Sequence, residues 1–211
     1  MPDLKLEDLL TAFPDARLRE SRDCPALDLP AEHLAATVSR LRSEWDFDFL
    51  MDVSGVDWGE EADPRFGCFY HLYSTLRHDY LRIYADCTGD NLDEPEMPTL
   101  CGVWPAADWH ERETFDMFGI RFTGHPDLRR ILMWDSYPYF PLRKDFPLAG
   151  IETELPAADV AAETGAAVVA APMMGGPFVA PADEGRFSKA EPRARDQSWT
   201  EKAPQPGQRA N

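Results

Sequence analysis

Five histidines, four cysteines and one dense run of carboxylates are the residues of this chain with chemistry to offer. His33, His71, His78, His110 and His125 include no pair at the HxxxH spacing that sets two imidazoles on one helical face. His110-Glu111-Arg112-Glu113 opens like a zinc-hydrolase helix, but Thr114 stands where the second histidine is needed, so that chemistry fails. Cys24, Cys68, Cys87 and Cys101 form no CxxC pair, and their gaps match no common zinc or iron–sulfur framework. They read as reduced thiols, with Cys68 and Cys87 packed as small hydrophobes in apolar strands. Neither a GxSxG elbow nor a glycine-rich phosphate loop occurs.

Glu111, Glu113 and Asp116 remain as carboxylates for acid–base work, although nothing in the sequence supplies them with a substrate pocket. The simpler reading makes them a solvated helix face, with Arg112 and Asp116 an i,i+4 pair contributing about 0.3 kcal/mol. Farther on, Arg129, Arg130 and Arg143 each present a planar fork of donors suited to a carboxylate, either inward or on another chain. They collect beside prolines and bulky apolar residues, a setting that points to a docking edge. Gly119 and Gly124 suit positive backbone angles, Pro126 holds His125 extended, and Asp127 folds back on the backbone as a turn or cap.

The elements that must position these residues follow from periodicity. Leu6, Leu9, Leu10 and Phe13 share one side of a helix over residues 4–13, ended by Pro14-Asp15. A second helix over 30–42 starts at Pro30 and buries Leu34, Val38 and Leu41. Strands are expected over 47–56, 67–75 and 78–87, the last alternating Leu81, Ile83 and Ala85 against Tyr80, Arg82 and Tyr84. The step Leu76-Arg77 suggests a hairpin without the Asn-Gly or Asp-Gly signature. Residues 88–98, acidic and proline-bearing, read as an exposed connection. Pro105 then opens a helix running to Phe118, with Gly119 as a left-handed cap. The sum is an α+β fold: a small mixed domain over 1–135 with a hairpin-containing sheet, then an extended partner-binding tail over 136–211.

Composition bounds the function. The 211 residues carry a net charge of -17, most of it in the first half, and no basic patch with interleaved aromatics, so nucleic acid is excluded as a partner. The acidity serves as a solubilising face or steers the chain toward a basic partner. No apolar run reaches the roughly 18–20 residues of a membrane span, and the first residues lack a leader, so an intracellular chain is expected, at a membrane only through other proteins. Past Leu148 alanine, proline and glycine dominate, and periodicity is gone after Ala171. Such a tail is disordered, or it is ordered on a partner through anchors such as Phe178, Val179, Phe187 and Trp199.

The same charged block also carries a resemblance. The run from Glu111-Arg112-Glu113-Thr114-Phe115-Asp116 through Gly124-His125-Pro126-Asp127-Leu128-Arg129-Arg130 is followed by Pro141-Leu142-Arg143-Lys144-Asp145-Phe146-Pro147. Together they closely resemble the signature of the thirty-kilodalton-type subunit, the C-type subunit in bacteria, of proton-pumping NADH–quinone oxidoreductases of the respiratory complex I family. Val53-Ser54-Gly55-Val56-Asp57 and the stretch Val103 to Trp109 add weaker support, and the likeness covers roughly residues 30–148. It implies a structural subunit of a respiratory translocase, on the cytoplasmic face of the bacterial inner membrane, with no active site of its own. The implied partners are the forty-nine-kilodalton-type, or D-type, subunit and neighbouring iron–sulfur subunits of the hydrophilic arm. NADH, flavin, clusters and quinone would be held elsewhere, so no catalytic, cofactor or metal residue transfers to this chain. Glu111 to Gly119, Gly124 to Arg130 and Arg143 to Asp145 are implied to be structural and interface residues. The same scaffold role in a related membrane-bound hydrogenase or ferredoxin-fed complex is the alternative. A free-standing carboxylate enzyme is a further one. One departure is Tyr139-Phe140, where the family often has Gly-His before the Pro-Leu-Arg-Lys segment.

Overall fold

The computed structural model describes residues 6–89, 94–147, 151 and 157–165. The chain divides into two units, Met1–Lys144 and Asp145–Asn211. The first contains, in order, α1 (Leu6–Ala12), β1 (Arg17–Leu18), β2 (Ala26–Asp28), α2 (Ala31–Glu44), β3 (Phe49–Asp57), β4 (Phe66–Tyr73), β5 (Tyr80–Asp86), β6 (Glu96–Pro98), α3 (Ala107–Phe118) and β7 (Arg121–Thr123). In the second unit the described helix is α4 (Ala158–Thr164), none of whose residues is buried. The anchors Phe178, Val179, Phe187 and Trp199 lie outside the described residues. Among the described residues no helix is long and apolar enough to cross a membrane.

Five strands form one sheet in the order β1-β2-β5-β4-β3. The pairs are antiparallel except β2 with β5, which run parallel. Strands β3, β4 and β5 form an antiparallel meander, while α2 carries the chain from β2 across to β3 at the far edge. Period-two alternation sets the inner face: Cys68, Tyr70 and Leu72 of β4, with Leu81, Ile83 and Ala85 of β5, are all at most 1% exposed. Leu34, Val38 and Leu41 of α2 are wholly buried and join this core, as do Leu9 and Phe13 from the α1 region. The mixed domain, the three principal helices and the hairpin-containing sheet are thus as the periodicity predicts.

Two local expectations are overturned. The β4–β5 connection is not a two-residue turn at Leu76-Arg77. It spans Ser74 to Asp79, closed by Ser74 N–H to Asp79 C=O at 3.0 Å and by the Ser74 hydroxyl accepting from Arg77 N–H at 3.1 Å. His78 takes the positive φ of 59° that Asn or Gly usually supplies. Nor is all of 88–98 an exposed connection, because Thr88 bridges Glu96 and β6 pairs in parallel with β7. Met97 in that strand is wholly buried. Three residues are too few for alternation to show, and β1 and β2 leave no sequence pattern for the same reason.

Candidate functional site

Helix α3 organises the charged block. Pro105 leads into it, Asp108 in the first turn complements the positive end of its dipole, and Gly119 ends it with φ 75°. One side packs on β3. Thr114 Oγ1 donates to Val53 C=O at 3.2 Å, and a Cβ on Gly55 would stand 2.7 Å from the Phe118 ring, so glycine is required for this close approach. The expected solvated face does not exist: Glu111 and Asp116 are 0% exposed and Arg112 is 4% exposed, leaving Glu113 alone of the four on the surface. The reason is a second covering layer. After β7 the chain runs back along α3 over residues 128–143 and covers Arg112 and Asp116, while the 99–101 loop covers Glu111.

Asp116 is the point of closure. Its Oδ2 accepts from the backbone N–H groups of Ile131, Leu132 and Met133 at 3.0, 2.6 and 2.8 Å, and Oδ1 accepts from Arg130 at 2.5 Å. Burial pushes this carboxyl upward, but the bonds from Met133, Leu132, Arg130 and Ile131 outweigh it and hold the pKa below the usual value. The expected Arg112–Asp116 pair is therefore replaced by Arg130–Asp116. Arg112 instead lies on the Trp109 ring, 5.0 Å from its centroid, and donates to Arg129 C=O at 3.2 Å. Arg143 donates to Phe118 C=O at 2.7 Å and lies 4.6 Å from the Phe140 ring centroid. Phe140, part of the departure from the family pattern, also sits 5.0 Å from Arg130, so it fills the space between two guanidinium groups. Arg129 reaches its neighbour Asp127, at 2.8 Å, with 62% of its side chain exposed.

A second anchor has no forerunner in the sequence reading. Asp57, at the end of β3, binds Arg65 through both oxygens at 2.9 and 2.8 Å and also accepts from Lys144 N–H at 2.8 Å. Burial raises this carboxyl, yet Arg65 and the backbone donors of Lys144 and Gly59 bring its pKa down to about 2. Asp57 is visible in the sequence only within the Val53–Asp57 resemblance, and Arg65 carries no sequence signal.

Glu111 faces a different loop. Its carboxylate accepts from Thr99 Oγ1 and Leu100 N–H, both at 2.6 Å, and Cys101 Sγ lies 3.6 Å away. Burial pushes its pKa up against those bonds. His125 Nε2 stands 3.9 Å from Glu111 Oε2 and 3.6 Å from Asp108 Oδ1. Donor atoms of Cys101, Glu111 and His125 all fall within 4.8 Å of one another, which is metal-ligand spacing. The imidazole argues for hydrogen bonding instead. Nδ1 accepts from Asp127 N–H at 3.0 Å, so Nε2 carries the proton and donates toward Asp108 C=O at 3.3 Å. Glu111, Glu113 and Asp116 thus do not converge: one caps the 99–101 loop, one is exposed and one fastens 131–133.

The domain so built is a two-layer α+β unit whose charged signature fastens its own returning chain. The family model for the 30 kDa subunit of respiratory-chain NADH dehydrogenase matches residues 27–152. The C-type subunit of NADH–quinone oxidoreductase from Moorella thermoacetica is 43% identical over 145 residues, spanning 68% of this chain and 93% of that one. The chain belongs to this family of C-type subunits. A Sulfurihydrogenibium protein named for both the C and the D subunits of that enzyme is 37% identical over 70% of this chain, the match taking up 25% of its own length. The chain spans little more than half the length of the rhizobial relatives it matches, at 55% and 53%. A chain of the archaeal membrane-bound sulfane sulfur reductase shares the fold, with a TM-score of 0.57 and 24% identity over 76% of this chain and 89% of that one.

Proposed function

We propose that this chain is a non-catalytic structural subunit of the peripheral arm of a proton-translocating NADH–quinone oxidoreductase, held at the cytoplasmic face of the inner membrane by its partners. It supports electron transfer from NADH to quinone by holding the D-type subunit in register with neighbouring iron–sulfur subunits. The observation that carries the reading is how the signature charges are used: Asp116, Arg130, Arg143 and Asp57 fasten residues 128–144 to α3 and β3. This holds the first unit together up to its last residue, Lys144. The tail then acts as the partner-binding strap, and Glu111, Glu113 and Asp116 have no catalytic task. The C/D relatives support the choice of partner, since a single chain there joins the two names.

The test is recovery from detergent-solubilised membranes of partners bound to the full chain and to a form ending at Leu148. The D-type subunit should accompany the full chain and fall away with the truncation. Its absence from the full-chain sample would overturn the proposal. Co-recovery of flavin-bearing subunits separates an NADH-fed complex from a hydrogenase or a ferredoxin-fed one. The purified full chain should show no cluster or flavin absorbance in its ultraviolet–visible spectrum. Absorbance that survives purification would give this subunit a redox role after all.

A further inference from the structure

The outer face of the five-stranded sheet carries an aromatic row that the assembly reading does not use. Helices α1, α2 and α3 all pack on the inner face, so the opposite face is left with the odd residues of β4 and the even residues of β5. Register places Phe49 opposite Tyr73 and Tyr73 opposite Tyr80, so the three aromatic residues share one face across β3, β4 and β5. Tyr73 and Tyr80 have centroids 4.7 Å apart, and Phe49 and Tyr80 are 52% and 49% exposed. Leu76, at the tip of the adjoining hairpin, is 57% exposed. Single exposed rings are ordinary. Three in register, on the face away from α1, α2 and α3, make a surface.

Its margin is acidic. Asp48 at the foot of β3 accepts from Thr75 N–H and Thr75 Oγ1 at 2.8 and 2.5 Å, which keeps it ionised beside the rings. Asp46 lies in the same turn, and Asp79 precedes Tyr80, its charge shared with Arg77 at 3.2 Å. Asp52, farther along β3 from Phe49, faces His71 at 3.5 Å. Rings flanked by carboxylates select a cation, and a planar one best, because a guanidinium stacks on a tyrosine while its fork reaches an acid. We infer that the Phe49–Tyr73–Tyr80 row, with Asp46 and Asp48 exposed at its edge, docks an arginine-bearing segment of another protein. The cations nearest the row, Arg77 and Arg82, are each paired with a carboxylate, Asp79 and Asp23, so the charge left over at this margin is negative and disfavours phosphate-bearing ligands and anionic membranes. A second copy fits poorly, since a two-fold contact would set the acidic turn of Asp46 and Asp48 against itself. Within the proposed function, on which this inference rests, the segment belongs to a neighbouring subunit of the hydrophilic arm.

Two measurements test it. Titration of the full chain with end-blocked tetra-arginine and tetra-lysine, followed by backbone amide shifts, should give binding centred on β3–β5 and about three- to tenfold tighter for arginine. Tyr80→Ser, at an exposed position, should abolish that preference while leaving the amide spectrum of the core intact. Equal affinities for the two peptides, or a preference unchanged by Tyr80→Ser, would reduce the effect to diffuse acidity and overturn the inference. In the second measurement a photo-crosslinking residue replaces Tyr80 and the complex is isolated from membranes. A crosslink to an arginine-bearing peptide of another subunit is expected. A recovered complex with no crosslink, or one to an acidic or wholly apolar peptide, refutes the docking site while leaving the assembly reading intact. Failure to recover any complex refutes the assembly reading, and the peptide titration then decides the docking site alone.

Discussion

Two regions of the molecule reverse the usual assignment of residue types to inside and outside. On the polar side of α3, two carboxylates and two guanidinium groups are buried or nearly so. On the outer face of the sheet, three aromatic rings in register stand in or near solvent. The difference lies in how many partners each group has, not in hydrophobicity. Asp116 receives four donors and Asp57 four, counting Gly59 N–H at 2.9 Å, so neither charge is left uncompensated. Among the described residues, the ring contacts of Tyr73 and Tyr80 are with each other and with His78. A closed set of contacts marks an internal fastening, whereas an open set marks a surface still able to bind.

The largest effect should come from opening the closed set. Asp116→Ala strips Arg130 of its counter-charge and leaves three backbone N–H groups without acceptors, at a cost of about 3–5 kcal/mol. Urea unfolding of the full chain should show this as a large drop in midpoint. A loss below about 1 kcal/mol would mean that water or residues 128–133 compensate freely, and the contrast between the regions would collapse.

Acid titration sharpens the same contrast, because the two buried carboxylate sites differ in sign. The folded-state pKa of Asp57 is about 2 against an ordinary 3.8. Its stabilisation is therefore complete above the ordinary value and is lost as pH falls through about 2, a span of roughly 2 kcal/mol. Glu111 is shifted upward, so the folded protein holds that proton more tightly, and its contribution declines as pH rises through the raised value. Asp57→Asn should lower stability at neutral pH and flatten the slope of unfolding free energy between pH 4 and 2. An unaltered slope would show that the Arg65–Asp57 anchor carries no pH linkage.

A third, smaller effect is steric. Gly55→Ala drives a methyl into Phe118 and Thr114, with approaches of 2.7 and 2.9 Å, and should cost about 1–3 kcal/mol through strain between β3 and α3. Thermal unfolding reads it directly. A gain in melting temperature would mean that α3 is free to move away from the strand.

How much of this is legible in the sequence depends on the range of the contacts. Local periodicity exposes α1, α2, α3 and the β3–β4–β5 meander, since each is long enough for its period to repeat. Strands of two or three residues leave no pattern. Gly119 is readable as a cap because its conformation is a local requirement. The sidedness of α3 is not, because Glu111, Arg112 and Asp116 are charged, and it takes the 99–101 loop over Glu111 and the return of residues 128–143 over Arg112 and Asp116 to turn their side inward. Asp116 and Arg130 are 14 residues apart, and Lys144 and Asp57 are 87 apart, with no intervening pattern to link them. The resemblance picks out the right block but assigns all its arginines one role, where geometry divides them.

That division supplies the smallest expected effect. Arg129 and Arg130 are neighbours of identical type, and a reading from sequence treats them alike. Arg130 is 10% exposed in its side chain and bonds to Asp116 and to Tyr139 C=O, whereas Arg129 is 62% exposed and bonds to an Asp127 that is itself exposed. Exposed pairs gain little, because water screens the attraction and the ordering of two side chains opposes it. Arg129→Ala should therefore leave the urea midpoint within the scatter of repeat measurements. Arg130→Ala should lower it nearly as far as Asp116→Ala, since either change strands the other's charge. The double substitution Asp116→Ala with Arg130→Ala should recover part of the loss, because no unpaired charge remains inside. If Arg129→Ala proved as costly as Arg130→Ala, exposure would not separate the two arginines, and the distinction between fastening and surface would have to be drawn elsewhere.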